Sequence, residues 1–275
     1  MGYAAPSVTG HLSMADVVVR LSQHPSVESV LQIGSLATGA LGSASDYDLV
    51  IVLGSGPETD PLPPWYVGIT QIDHRLTDLI FVAAAEVQRL VTLTAPLSQS
   101  DPLAPILRWL QNGVIVHDRV GLANEAQHHL ATGKCWIDPI RDQDAYATWF
   151  SINYNLAQTK RISRSDDPVY LATAGIRMAV YGHTDLWHGY FTLRKLAWTG
   201  DKAAVAYLQR EDPAFLEAFH RFVTANSVED KLLAYEHAAR LATSAAGGLW
   251  PLDVTVMNID QALEIWNALV GPGSV

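Results

Sequence analysis

Cysteine is almost absent from this 275-residue chain, which holds one, Cys135. An intramolecular disulfide is therefore excluded, and a reducing compartment fits. With no paired base in view, Cys135 reads as a small buried hydrophobe. Long apolar runs are missing too, none reaching the roughly 18 residues that a membrane span needs. The opening stretch, Met1-Gly2-Tyr3-Ala4-Ala5-Pro6, lacks a basic segment followed by an apolar one, and Gly2 begins no acylation motif. The expectation is a soluble, cytoplasmic protein without a membrane partner. Lysine is scarcest where it would matter most. Residues 1–132 contain no Lys and five Arg against twelve Asp and Glu, while residues 133–275 hold the other thirteen basic groups and sixteen acids. The net charge is −10, and no Lys/Arg cluster builds a basic face. Long nucleic acid is not expected as a substrate.

Several motifs are also missing. The glycines Gly34, Gly39 and Gly42 form neither a dinucleotide fingerprint nor a P-loop, since no Gly-Lys-Ser/Thr follows. No Gly-x-Ser-x-Gly elbow occurs. Ten histidines are present, but His128 and His129 are adjacent and diverge on a helix. His183 and His188 are five apart across an expected helix break, so a zinc site is not expected.

What is present centres on one stretch. An apolar run, Val30 to Ile33, stops at Gly34-Ser35; a small-residue loop follows, and the chain re-enters an apolar strand just after Asp46 and Asp48. Spacing two on a strand puts both carboxylates on one face. Side by side they repel unless a cation sits between them, and hard oxygen ligands suit magnesium. The Gly34-Ser35 turn can offer backbone N–H groups and a hydroxyl to a phosphate, with Gly34 letting the backbone come close. Ser45, next to Asp46, can reach a phosphate as well. Gly39 and Gly42 read as loop flexibility.

Gly34-Ser35, a spacer, then Ser45-Asp46-x-Asp48-hydrophobic resembles the signature of the polymerase-β-like nucleotidyltransferase superfamily. In layout the chain looks most like the bacterial nucleotidyltransferases that adenylylate aminoglycosides and lincosamides, which would make it an antibiotic-resistance enzyme. The motif covers roughly Gly34 to Leu53; a looser similarity of layout spans the whole chain. The resemblance implies an α+β fold, with an N-terminal mixed-sheet nucleotidyltransferase lobe, residues 1–132, and a C-terminal all-helical domain, residues 133–275. It implies transfer of a nucleoside monophosphate, AMP from ATP, to a hydroxyl of a small-molecule acceptor, with two Mg2+ as cofactors. Asp46 and Asp48 would hold metal. The superfamily commonly places a third acid, as metal ligand, base or both, at the strand position of Asp78. Asp73, five residues earlier across a turn expected at His74-Arg75-Leu76, is the rival.

The residues place these groups on elements. Helix is expected from Ser13 to Leu21, strands at Ser29–Ile33, Asp46–Leu53, Trp65–Asp73, Asp78–Ala83 and Gly113–His117, and helices at Ala84–Leu93, Pro102–Leu110 and Arg119–Ala131. Gly54 to Pro64, with two Gly and four Pro, reads as loop. Beyond Pro139 nearly everything reads as helix: 142–162, 168–182, 185–198, 201–210, 213–225, 228–245 and 258–270. Asp185, Asp201, Ser227 and Asn258 are expected caps.

An N-terminal lobe without lysine cannot balance a triphosphate through side chains alone, so the helical lobe should supply cations. Tyr146, Asn153 and Lys160 recur every seven residues, one stripe of a long helix. Lys160 is the first candidate for the triphosphate and Lys195 the second; Tyr146 and Asn153 are candidate substrate contacts. Acids in both lobes suit a cationic acceptor. Two alternatives stay open, a regulatory transferase acting on a protein or RNA partner, and a nucleotide binder without catalysis.

Overall fold

The computed structural model describes residues 12–39, 41–42, 45–54, 65–251, 254 and 256. The chain divides into two compact units, Met1–Asp138 and Pro139–Val275. The N-terminal stretch read for a signal, most of the Gly54–Pro64 loop and the helix expected at 258–270 lie outside the described residues.

The first unit opens with helix α1 (Met14–Gln23), whose N-terminal amide at Asp16 is accepted by the Ser13 hydroxyl at 3.2 Å. Strand β1 (Val27–Ile33) leads into a short helix α2 (Gly34–Thr38), then strand β2 (Tyr47–Leu53). Strands β3 (Trp65–Ile72) and β4 (Arg75–Ala83) form a hairpin. Helices α3 (Ala84–Thr92) and α4 (Ala104–Asn112), strand β5 (Val114–Asp118) and helix α5 (Leu122–Ala131) complete it. The sheet runs in the order β3-β4-β2-β1-β5, with β2 and β4 parallel and the other pairs antiparallel.

Period-two burial gives the sheet two covered faces. Leu31, Ile33, Val50, Val52, Ile80 and Val82 face one core with residues of α3, α4 and α5. Val30, Leu49 and Ile51 face a second, smaller core with Val17 of α1. In strand β4, Ile80 and Val82 are buried, while Leu79 and Phe81 are half-buried against the smaller cluster. Residues 133–138 pack with this unit. Cys135 is buried in the larger core, and Leu97 bridges to Ile137.

Two local features depart from the sequence reading. The small-residue stretch after β1 is one helical turn rather than an open loop. Gly34 enters it at φ 62° and Gly39 leaves it at φ 69°, both left-handed values that suit glycine, while Leu36 packs on the smaller core. The β3–β4 turn consists of Asp73 and His74, at φ 50° and 60°. A two-residue turn with both residues left-handed matches the twist of the strands it joins, so Arg75 and Leu76 belong to β4.

The second unit is helical: α6 (Asp142–Ile162), α7 (Pro168–Tyr181), α8 (His188–Leu193), α9 (Asp201–Glu211), α10 (Pro213–Thr224) and α11 (Val228–Thr243). Its core gathers Ile152, Leu156, Met178, Trp187, Phe215 and Tyr235. Helix α7 does not break before α8; a π-helical turn, Gly182–Trp187, joins them. Gly182 lies hard against the Phe222 ring, where a Cβ would collide. Asp185 is therefore not a cap. It is buried, and its carboxylate accepts from Asn155 Nδ2 at 2.6 Å and Ser151 Oγ at 3.1 Å. The same turn brings the His183 and His188 rings to 4.6 Å between centroids. Ser227 caps α11 as expected, whereas Gly200, not Asp201, precedes α9. Among the described residues no helix is long and apolar enough to cross a membrane.

Candidate active site

Strands β2 and β4 pair in a register that sets Asp48 opposite Asp78, one step after the Tyr47–Thr77 pair. Aligned residues on neighbouring strands project to the same face. That face is the one carrying Val50 and Val52 on β2, and Ile80 and Val82 on β4. Further along both strands the same face is buried apolar core; at Asp48 and Asp78 it is only half-buried. The two acids thus stand at the rim of the core, where carboxylates keep some solvent. Asp46 lies just before β2 and is half-buried as well.

The turn after β1 closes on this pair. In β1, Ile33 is the register partner of Asp48, so Gly34 falls beside it. A Cβ built on Gly34 would sit 2.7 Å from Asp48 Oδ2. The missing side chain and the positive φ therefore serve one purpose, to let the backbone approach the carboxylate. Ser35 follows, and its buried Oγ has no hydrogen-bond partner among the described residues. A buried hydroxyl without a partner is costly, which makes Ser35 a group awaiting an acceptor or donor from elsewhere.

Ser45 is bonded within its own turn. Its Oγ accepts the Gly42 amide at 2.9 Å, and its own amide donates to the Gly42 carbonyl at 3.2 Å. The side chain closes the turn ahead of Asp46. Arg75 was not singled out from the sequence, where it reads as a turn residue. Its Nη1 donates to the carbonyls of Gly42, at 2.8 Å, and Ser45, at 2.9 Å, and its guanidinium lies 5.7 Å from the Tyr47 ring centroid. An Arg in the strand that also carries a candidate acid is the one sequence signal that could have marked it.

Asp73 is occupied elsewhere. Its Oδ2 accepts the Met14 amide at 3.0 Å, and its amide donates to the Leu12 carbonyl at 3.0 Å, fixing the start of α1. Of the two rivals, Asp78 is the one in register with Asp48.

The candidates in the helical unit are held by partners of their own. Asn153 is buried; its Nδ2 donates to the Trp149 carbonyl at 2.8 Å, and its Oδ1 accepts the Trp250 amide at 2.7 Å. Both ends of that amide are engaged inside the unit. Tyr146, about two turns away on the same stripe, is exposed and stacks on Trp149 at 5.7 Å. Lys160 Nζ pairs with Glu236 Oε2 at 2.7 Å, and Lys195 Nζ with Asp142 Oδ1 at 2.5 Å.

Among the described residues, no group of three or more His, Cys, Asp or Glu side chains is disposed to hold a metal ion. Magnesium does not require such a group. It keeps several waters and binds through one or two carboxylates together with substrate phosphates. The hard oxygens at Asp46 and Asp48, the partnerless Ser35 hydroxyl and the close Gly34 backbone fit that ion beside a phosphate.

No protein-family model and no curated protein matches the chain. Solved structures do match, among them a nucleotidyltransferase-like protein from Exiguobacterium sibiricum 255-15. It is 12% identical, with a TM-score of 0.37, and the match covers 85% of this chain and 77% of that one. So loose a likeness carries no weight for the chemistry, which has to come from the residues.

Proposed function

We propose that the chain is a magnesium-dependent nucleotidyltransferase that moves a nucleoside monophosphate, AMP from ATP, onto a hydroxyl of a small molecule. The observation that carries this reading is the register of Asp48 with Asp78, closed over by Gly34 and the unpartnered Ser35 hydroxyl. Asp46 and Asp48 would hold magnesium, which would offset triphosphate charge as the leaving group departs. Ser35 would donate to a phosphate oxygen, and the Gly34 backbone would let that phosphate approach. Asp78 would take the proton of the acceptor hydroxyl. The acceptor oxygen then bonds to the α-phosphorus, the bond from that phosphorus to the bridging oxygen breaks, and pyrophosphate leaves.

Lys160 and Lys195 are the lysines to try for the phosphates, and each has a partner to give up. Lys160 would have to exchange Glu236 for phosphate, and Lys195 would have to exchange Asp142. Asp142 is 93% exposed in its pair, and pairs so solvated cost little to part. The acidic surface favours a cationic acceptor, and aminoglycosides are the class to try first. The test is incubation with Mg2+, labelled ATP and a panel of hydroxylated antibiotics, reading adducts by mass. An acceptor heavier by one AMP, absent with Asp48→Asn, supports the reading. No adduct, together with ATP binding that ignores Mg2+, overturns it.

A further inference from the structure

Asp46 stands one residue before β2, so the ladder to β4 does not reach it. The last backbone pair on that side is Tyr47 with Thr77. Two residues back along each chain from that pair stand Ser45 and Arg75. There the ladder is replaced by a side chain: Arg75 Nη1 donates to the Ser45 carbonyl at 2.9 Å and to the Gly42 carbonyl at 2.8 Å. Ser45 is held from its other side as well, through the reciprocal bonds between its amide and hydroxyl and Gly42. The guanidinium of Arg75 lies over the ring of Tyr47, which is itself buried. Asp46 therefore has a fixed residue on each side, Tyr47 by strand pairing and Ser45 by the arginine.

We propose that Arg75 is a positioning residue that holds the backbone of Asp46 so that its carboxylate and that of Asp48 form one cation-binding pair. This rests on the reading of Asp46 and Asp48 as the metal-holding acids. Both carbonyls accept from one nitrogen, Nη1, so a single side chain fixes two points of the turn at once. Charge alone would make Arg75 an obstacle. A cation beside a cation site repels the incoming ion, so its removal should tighten metal binding. Loss of position acts in the opposite direction. Removing a group that orients a metal ligand typically weakens affinity by about 10–100-fold. The two effects have opposite signs, and one measurement separates them.

The experiment titrates Mn2+ onto the full chain without nucleotide, counting free Mn2+ by electron paramagnetic resonance. It uses wild type, Arg75→Ala, Arg75→Lys, Asp46→Asn, Asp48→Asn and the double variant Arg75→Ala/Asp46→Asn. Arg75→Ala is expected to weaken Mn2+ by about tenfold or more, with Arg75→Lys between it and wild type. Asp46→Asn in the Arg75→Ala background should add little, since the carboxylate is already out of place. Circular dichroism keeps the comparison to folded protein, and Arg75→Lys carries it should Arg75→Ala not fold. Unchanged or tighter Mn2+ binding in Arg75→Ala or Arg75→Lys, while Asp48→Asn still weakens it, overturns the role of Arg75 alone. Indifference of Mn2+ to Asp48→Asn removes the metal pair, and the role of Arg75 with it.

Discussion

Asp48 and Asp78 face each other across the parallel pairing of β2 and β4, on the face that becomes buried core two residues later. The two strands are brought together by a crossover through β3, so no local feature of either aspartate predicts the other. Their roles should nevertheless separate. If Asp78 activates the acceptor hydroxyl, Asp78→Asn should cut kcat by about 10²–10⁴ and leave the ATP constant nearly unchanged. Asp73→Asn should do something else, lowering the melting temperature by weakening its bond to the Met14 amide, at a cost of about 1 kcal/mol. If Asp73→Asn takes the kcat loss instead, the assignment of the third acid is wrong.

Ser35 gives a prediction in which stability and binding move apart. Among the described residues its buried hydroxyl has no hydrogen-bond partner, so Ser35→Ala removes a desolvated polar group and gives up none of the bonds seen there. The melting temperature should stay the same or rise. The ATP constant should rise roughly tenfold, as expected for losing one hydrogen bond to a charged phosphate, about 1.5 kcal/mol or more. Equal ATP constants in the two proteins would leave the hydroxyl without the role given it. Gly34→Ala is the harsher companion: its new Cβ meets Asp48 Oδ2 at 2.7 Å and must accept φ 62°. It should lose both stability and turnover.

Much of the first unit was legible because its strands are short apolar runs with clear ends. Val30–Ile33 stops at Gly34, and β2 is announced by acids followed by five apolar residues. The candidate acids were legible for the same reason, since a carboxylate is conspicuous where an apolar face should begin. What stayed hidden depends on partners distant in sequence. Arg75 matters through Gly42 and Ser45, some thirty residues earlier. Asn153 looked like part of an open stripe until Trp250, from the far end of the chain, took its side-chain oxygen. Asp185 resembled a helix cap, and only Asn155 and Ser151 facing it from α6 make a buried carboxylate tolerable there.

Asp118 sets a pH dependence for the first unit. Burial works against its charged form, yet the Asn124 amide and side chain, the Ser29 hydroxyl and the Ala123 amide hold its carboxyl below the usual range. A depressed carboxyl contributes stability that is complete above the unfolded value of about 3.9 and is lost as pH falls through the folded value. Asp118→Asn should therefore lower the melting temperature at pH 7, by an amount near the roughly 1 kcal/mol of a lost helix-start contact. The gap between the two proteins should narrow below about pH 4. A gap that is constant from pH 7 to pH 3 would show that the carboxylate charge contributes nothing.

Lys195 offers the sharpest test of the phosphate contacts, because its backbone is strained. It follows α8 at φ 56°, its amide bonding to the Thr192 carbonyl at 3.0 Å and the Leu196 amide to the Phe191 carbonyl at 2.9 Å. That is a helix-ending motif in which glycine is the preferred residue at the left-handed position. Lys195→Gly should relieve about 1 kcal/mol of strain, against a surface pair with Asp142 worth at most about 1 kcal/mol. The melting temperature should hold or rise. A triphosphate contact would show itself as an ATP constant raised roughly tenfold or more in the same well-folded protein. Lys160→Ala is the parallel measurement. It leaves Glu236 still paired with Arg240 at 3.2 Å, so no carboxylate is stranded and any change in ATP binding belongs to the lysine. A raised constant in one variant assigns the contact to that lysine. If both variants bind ATP as wild type does, the triphosphate is held without Lys160 and Lys195, and magnesium with the Gly34-Ser35 turn becomes the first place to look.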